Sequence, residues 1–258
     1  MSKSAPAAVR REASQQWDGG ALSEPNLPDT SMQSKTDETL RRLLLICGAI
    51  AGPLFTISWF VQGMGRANYD PMRYPISSLS IGEFGWIQVV TFIITGLLFL
   101  AFGIQLRQIL RQPSGSVWGP VLMMSLGIGL IGAGIFVTDP LNGYPAGTPI
   151  LPTVRTTHGI LHDIFGIPVF LGLPINCFVF ARYLARQGEH AWAWYSRLSG
   201  IGMFAVFFVA RLGFRLLTTY PDLAANFGLL QRSTLIIGFA WPTLLAVYMM
   251  KGPSKSKQ

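Results

Sequence analysis

Six stretches of the chain, near residues 43–63, 87–106, 118–138, 159–182, 195–217 and 229–249, are almost unbrokenly apolar. Each is about twenty residues long, the length over which a helix crosses roughly 30 Å of hydrocarbon. Inside lipid a backbone must satisfy its own hydrogen bonds, and a continuous helix does so within each segment. The expected fold class is therefore all-α, a polytopic membrane protein with a bundle of six transmembrane helices across residues 39–250. Residues 1–38 mix Ser, Ala, Gln and Pro with charges of both signs and are expected to form a disordered cytoplasmic tail. Residues 251–258 read as a short basic tail. Arg41 and Arg42 before the first run imitate an export signal. The run continues to Gly63, longer than the about 7–15 residues of a cleaved signal core, so it is expected to remain as the first span.

Charged residues make up 12% of the chain, about half the share found in soluble domains. A net charge of +8 would suggest nucleic acid in a soluble protein. Here the cations sit between apolar runs, where topology and lipid headgroups explain them, so membrane lipids and not nucleic acid are the expected partners. With the N-terminus inside, Lys35, Arg41, Arg42, Arg107, Arg111, Arg182, Arg186, Arg197, Lys251, Lys255 and Lys257 fall on one side, and Arg66, Arg73, Arg155 and Arg215 on the other. That asymmetry predicts both termini in the cytoplasm of a cell (inner) membrane protein. Asp70, Glu83, Asp139, Asp163 and Asp222 then gather at the outer side with His158 and His162, as an outward-facing ionisable cluster. Cys47 and Cys177 lie inside apolar runs, where thiols pack as small hydrophobes. They support no disulfide framework.

Several local patterns admit more than one reading. Gly127-Ile128-Gly129-Leu130-Ile131-Gly132 matches a nucleotide-binding spacing, but it lies mid-span with no preceding strand. Ser125, Gly129 and Ala133 at four-residue spacing point instead to close helix packing. Pro168 and Pro174 are expected to kink the fourth span, where Asn176 adds a buried amide. Arg211, Arg215 and Arg232 sit at the ends of the fifth and sixth spans. Each either snorkels or meets a partner, and Arg211 and Arg232 are candidates to bind an anionic lipid headgroup, with Asp139, Asp163 or Asp222 as alternative partners. Ser77 and Ser78 before the second span either cap that helix or support the ionisable cluster.

His158 and His162, at i and i+4, share one helix face. Three readings are open. Neutral imidazoles with Asp139 as third ligand and an open fourth position would hold zinc and activate water. The pair would alternatively relay protons with Asp139 or Asp163. In the third reading it belongs to a hydrogen-bonded structural network joining the third, fourth and fifth spans.

The order Asn68-Tyr69-Asp70-Pro71, Tyr74-Pro75-Ile76-Ser77-Ser78-Leu79, Thr138-Asp139-Pro140, His158-Gly159-Ile160-Leu161-His162 and Gly228-Leu229-Leu230-Gln231-Arg232 resembles a prokaryotic family of six-helix membrane proteins, domain-of-unknown-function family nine-nine-eight. The resemblance covers about 43–250 and implies an integral membrane protein without an established activity. A more distant pattern, Ser then Asp then HxxxH in successive helices, is similar to the superfamily of alkaline ceramidases and progestin/adiponectin receptors. That similarity implies a zinc amidase site with Ser77 or Ser78 as its serine, Asp139 as its aspartate, and His158 and His162 as its helical pair. This chain departs from it in having six spans instead of seven and no histidine beside the serine.

Two functions follow as expectations. One is a non-catalytic carrier or assembly partner whose polar cluster is structural or conducts protons. The other is a metal-dependent hydrolase of a lipid or amide, with Asp139, His158 and His162 on zinc, Ser77 or Ser78 and Asp163 in catalytic roles, and Arg211 or Arg232 steering an anionic headgroup.

Overall fold

The computed structural model describes residues 30–111, 115–149, 154–215 and 225–251. The chain divides into two compact units, Met1–Glu38 and Thr39–Gln258, and the architecture below is that of the second. Of the tail expected at 1–38, residues 1–29 lie outside the described residues, and from Thr30 the chain is helical. Asp222 and the basic tail at 252–258 lie outside them too.

Helix α1 covers Thr30–Gly65, α2 Gly85–Ile109 and α3 Trp118–Ile135. Helix α4 covers Thr157–Ile167 and continues through a π-helical segment, Pro168–Gly172, into α5, Leu173–Arg186. Helices α6, His190–Arg215, and α7, Phe227–Lys251, follow. With α4 to α5 counted as one, six helices among the described residues are long and apolar enough to cross a membrane. The two prolines expected to kink the fourth span bracket its one widened turn. Proline lacks the donor for a regular i→i−4 bond, so a wider turn accommodates the defect without ending the helix.

Lipid is as apolar as leucine, so these helices gain little from hydrophobic sorting and are held by close backbone approach and interlocked rings. A Cβ on Gly96 would stand 2.6 Å from the Gly127 carbonyl oxygen, and one on Gly127 2.6 Å from that of Gly96. Gly129 and Gly132 do the same for α4, where a Cβ would meet the Phe165 carbonyl oxygen at 2.6 Å and the Phe165 ring at 2.2 Å. The glycine run in α3 is therefore a two-sided packing seam, as its position in mid-span implies. Phe55 of α1 meets Phe92 and Phe239, with ring centroids 5.6 and 5.0 Å apart, and Phe99 joins at 5.3 Å from Phe239. Such pairs contribute about 0.5–1.5 kcal/mol each beyond area burial. The opposite faces carry exposed Ile57, Ile128, Ile201 and Phe208, the pattern of a surface solvated by hydrocarbon.

At one end of the bundle the connections fold over the helices. Tyr69, Tyr74 and Tyr144 form a ring cluster with centroids 5.1–5.8 Å apart. Asn142 donates to the Arg73 carbonyl at 3.1 Å, and Leu229 N–H donates to Met72 at 2.9 Å. A 3₁₀ turn, Ile76–Ser80, buries Ile76 and Leu79 beneath this cover. Its serines do not cap α2, which starts after Phe84 with no side-chain cap. Ser80 instead donates to the Ser77 carbonyl at 2.6 Å.

Candidate functional site

The start of α4 organises the polar end. Thr156, extended at φ −78°, is its N-cap and accepts from the Gly159 N–H at 3.0 Å. The Asp139 carboxylate arrives from the loop after α3 and lies across this helix start. The Thr156 hydroxyl donates to Oδ1 at 2.5 Å, and the Thr156 N–H to Oδ2 at 3.1 Å. A Cβ on Gly159 would stand 2.1 Å from Oδ2, so only glycine leaves room for this seat. Arg155 closes the group, donating from Nε to Asp139 at 3.3 Å and from a terminal nitrogen to Asp163 at 2.7 Å. An anion at a helix N-terminus meets unpaired N–H groups and the positive end of the macrodipole. Burial pushes the Asp139 carboxyl up, but the Thr156 hydroxyl and amide, followed by Arg155, outweigh it and hold it below the ordinary aspartate value. Reciprocally, Asp163 first and Asp139 second hold the Arg155 guanidinium charged more firmly than usual.

This seating changes the reading of the histidines. His162 is buried, and its Nδ1 donates to the carbonyls of Phe136 at 2.8 Å and Ala133 at 3.1 Å, tying α4 to the end of α3. His158 is exposed, with its ring 5.6 Å from that of Phe136. Among the described residues no group of three or more His, Cys, Asp or Glu side chains is placed to hold a metal ion. The zinc site expected from Asp139, His158 and His162 therefore does not form among them. Asp139 is consumed by Thr156 and Arg155, and His162 turns the nitrogen nearest α3 to backbone oxygens. These hydrogen bonds join the third and fourth spans, and the fifth, included in the expected network, takes no part in them.

Beside this network lies a cavity of about 550 Å³. Asp139, Arg155, Asp163 and Arg211 stand at its charged rim, Ser77, His162 and Gln231 form a polar collar, and Ile167, Phe170, Leu171, Phe207, Ala210 and Phe227 supply apolar wall. A smaller hollow of about 40 Å³ shares the three collar residues and is otherwise lined mainly by core residues such as Phe55, Phe92, Leu130 and Leu235. The cavity lining thus combines charged, polar and apolar side chains. Of the sequence candidates, Ser77, Asp139, His162, Asp163 and Arg211 line it.

Three candidates stand elsewhere. Ser78 is fully buried, with its hydroxyl unpartnered, and is absent from the cavity wall. His158 is likewise off the wall. Arg232, 4% exposed, is clamped by the cover loop and not by a carboxylate. Its guanidinium donates to the carbonyls of Pro71 and Tyr74 and, at 2.5 Å, to the Tyr69 hydroxyl, and lies 5.2 Å from the Trp59 ring centroid. A side chain so occupied serves the fold and not a ligand. Burial pushes the Tyr69 phenol up to about 12 despite the nearby guanidinium, so it stays protonated and also donates to Pro75 at 2.9 Å.

Sequence reasoning passed over Arg155, read only as a topology signal, together with Thr156, Gln231 and Tyr69. Thr156 had a usable signal, a hydroxyl residue immediately before a helical run. Gln231 and Tyr69 stood only within the motifs that carry the family resemblance, which assign them no role.

Residues 49–248 match the model of a family described as protein of unknown function, DUF998. No curated protein and no solved structure matches the chain.

Proposed function

The chain belongs to that family of membrane proteins of unknown function, and we propose that it is a non-catalytic binding or carrier protein for an acidic amphiphile, held in the cavity between α4, α6 and α7. The observation that carries this reading is the mixed lining of that cavity. Phe170, Phe207 and Phe227 suit an apolar chain, while Arg211, for which no carboxylate partner occurs among the described residues, is placed to meet an anion. Asp139 and Asp163 share Arg155, so both carboxylates at the rim are already compensated. The volume of about 550 Å³ falls in the range of about 300–1,000 Å³ typical of small-ligand sites. With both termini cytoplasmic, as the Lys and Arg distribution favours, the rim lies at the outer leaflet of the cell membrane. The exposed apolar residues Ile167 and Leu171 on the wall then leave a route from the bilayer.

Binding of lauroyl lysophosphatidic acid to the full chain in a maltoside detergent, followed by native mass spectrometry, tests this. Saturable binding is expected, and Arg211→Ala weakens it about tenfold or more, the scale of one hydrogen bond to a charged group. Arg107→Ala, outside the cavity, leaves it unchanged. Glycerol 3-phosphate, which has the anion without the chain, binds far more weakly. Absence of saturable binding, or an Arg211→Ala protein that binds like wild type, overturns the proposal.

A further inference from the structure

The collar between rim and hollow has unusual chemistry. His162 donates from Nδ1 to two carbonyl oxygens, which can only accept, so the proton resides on Nδ1. In the neutral ring this tautomer leaves Nε2 a bare acceptor. Gln231 is oriented in the same way by a backbone group. Ile76 N–H donates to its Oε1 at 2.8 Å, which fixes the amide and leaves Nε2 as an open donor. The Ser77 hydroxyl, both donor and acceptor, has no hydrogen-bond partner among the described residues. All three side chains line both the cavity and the inner hollow. One ring of the wall thus offers an acceptor, a donor and a hydroxyl, with aromatic and aliphatic side chains around them.

A ligand crossing this ring with nothing but methylene groups would leave these groups unpaired away from water, which costs about 1–3 kcal/mol for each buried group. A fully ionised phosphate or carboxylate oxygen would satisfy Gln231 but not the neutral His162 Nε2, because it too only accepts. A hydroxyl satisfies both, accepting from Gln231 and donating to His162. We infer that the collar recognises a hydroxyl group on the bound amphiphile, placed between the acidic head at Arg211 and the apolar chain, and that His162 specifies it. This inference rests on the amphiphile reading given above.

The test compares lauroyl lysophosphatidic acid, which carries a free 2-hydroxyl, with its 2-deoxy analogue on the same detergent-solubilised protein. Wild type is expected to prefer the hydroxylated ligand about tenfold, the scale of one well-made hydrogen bond. His162→Phe and Gln231→Met each bring the ratio close to one, weakening the hydroxylated ligand and, with the unpaired polar group gone, tightening the deoxy analogue, which a merely structural role would not do. The wild-type comparison needs no substitution, so it decides even where His162→Phe, which also uncaps α3, fails to fold. Equal, saturable binding of both ligands sinks the hydroxyl inference and leaves the amphiphile reading standing. Saturable binding of neither sinks both.

Discussion

Arg211 on α6 and Arg232 on α7 are the same residue type on two packed helices near one end of the bundle, and the fold treats them oppositely. Arg232 is buried under the cover loop, with the oxygens of Pro71, Tyr74 and Tyr69 around its guanidinium and the Trp59 and Tyr69 rings against its faces. Arg211 is exposed at the cavity rim, without a carboxylate partner among the described residues. An arginine in an apolar span needs either a partner or a way out. Arg232 found the first, a fan of carbonyl oxygens that matches a planar five-donor fork, and Arg211 kept the second. The charge pinned inside the protein has its terminal nitrogens taken up by it, and the charge left at the cavity is the one proposed to meet a ligand.

Substitutions can break or sharpen that contrast. The largest effect is expected at Arg232, where Arg232→Ala strands two carbonyls and a hydroxyl and lowers stability by about 3–5 kcal/mol, at about 1–3 kcal/mol for each buried polar group left without its partner. Thermal denaturation in detergent measures it, and Arg232→Lys, without the planar fork, recovers only part. Next is Gly159→Ala. It suits the helix but drives a methyl group into the Asp139 carboxylate, so a loss of about 1–3 kcal/mol is expected, as for other overpacked sites. A neutral or stabilised protein would mean that the Asp139 seat is not tight.

Asp139→Asn is expected to cost about 1 kcal/mol, the size of a lost helix cap. Its sharper signature is in the pH dependence. The folded carboxyl titrates below its ordinary value, so its contribution is complete above the unfolded value of about 3.9 and is lost as pH falls through the depressed folded value. The midpoint temperature of Asp139→Asn should fall less steeply with acid than that of wild type, and identical slopes would refute the assignment. The smallest stability effect is at Arg211, where Arg211→Ala should stay within about 0.5 kcal/mol while the binding assay loses its acidic ligand. If Arg211→Ala destabilised the protein as Arg232→Ala does, the division between structural and available charge would collapse.

The two arginines also mark where the sequence was legible. Both were readable as costly cations near span ends, but nothing linear distinguished them, because the residues that clamp Arg232 lie about 160 positions earlier. Asp139 and His162 were singled out as polar candidates, and both line the cavity beside α4. Their bonding was not readable, since Asp139 bonds to Thr156 and Arg155, two residues the spacing argument had left aside. Ser77 and Ser78 are neighbours of one chemistry, yet the 3₁₀ turn sends one to the cavity wall and buries the other.

The sequence by itself determined the six apolar spans, the all-α class and the packing role of the α3 glycines. These depend on hydropathy and on residue size along one helix, and both are local properties. Tertiary structure alone decided that Asp139 seats on the start of α4, that Arg232 is a structural cation, and that Ser77, His162 and Gln231 share one collar. A hydrogen bond is settled by angstroms between segments far apart in the chain, and no period within a single helix encodes that distance.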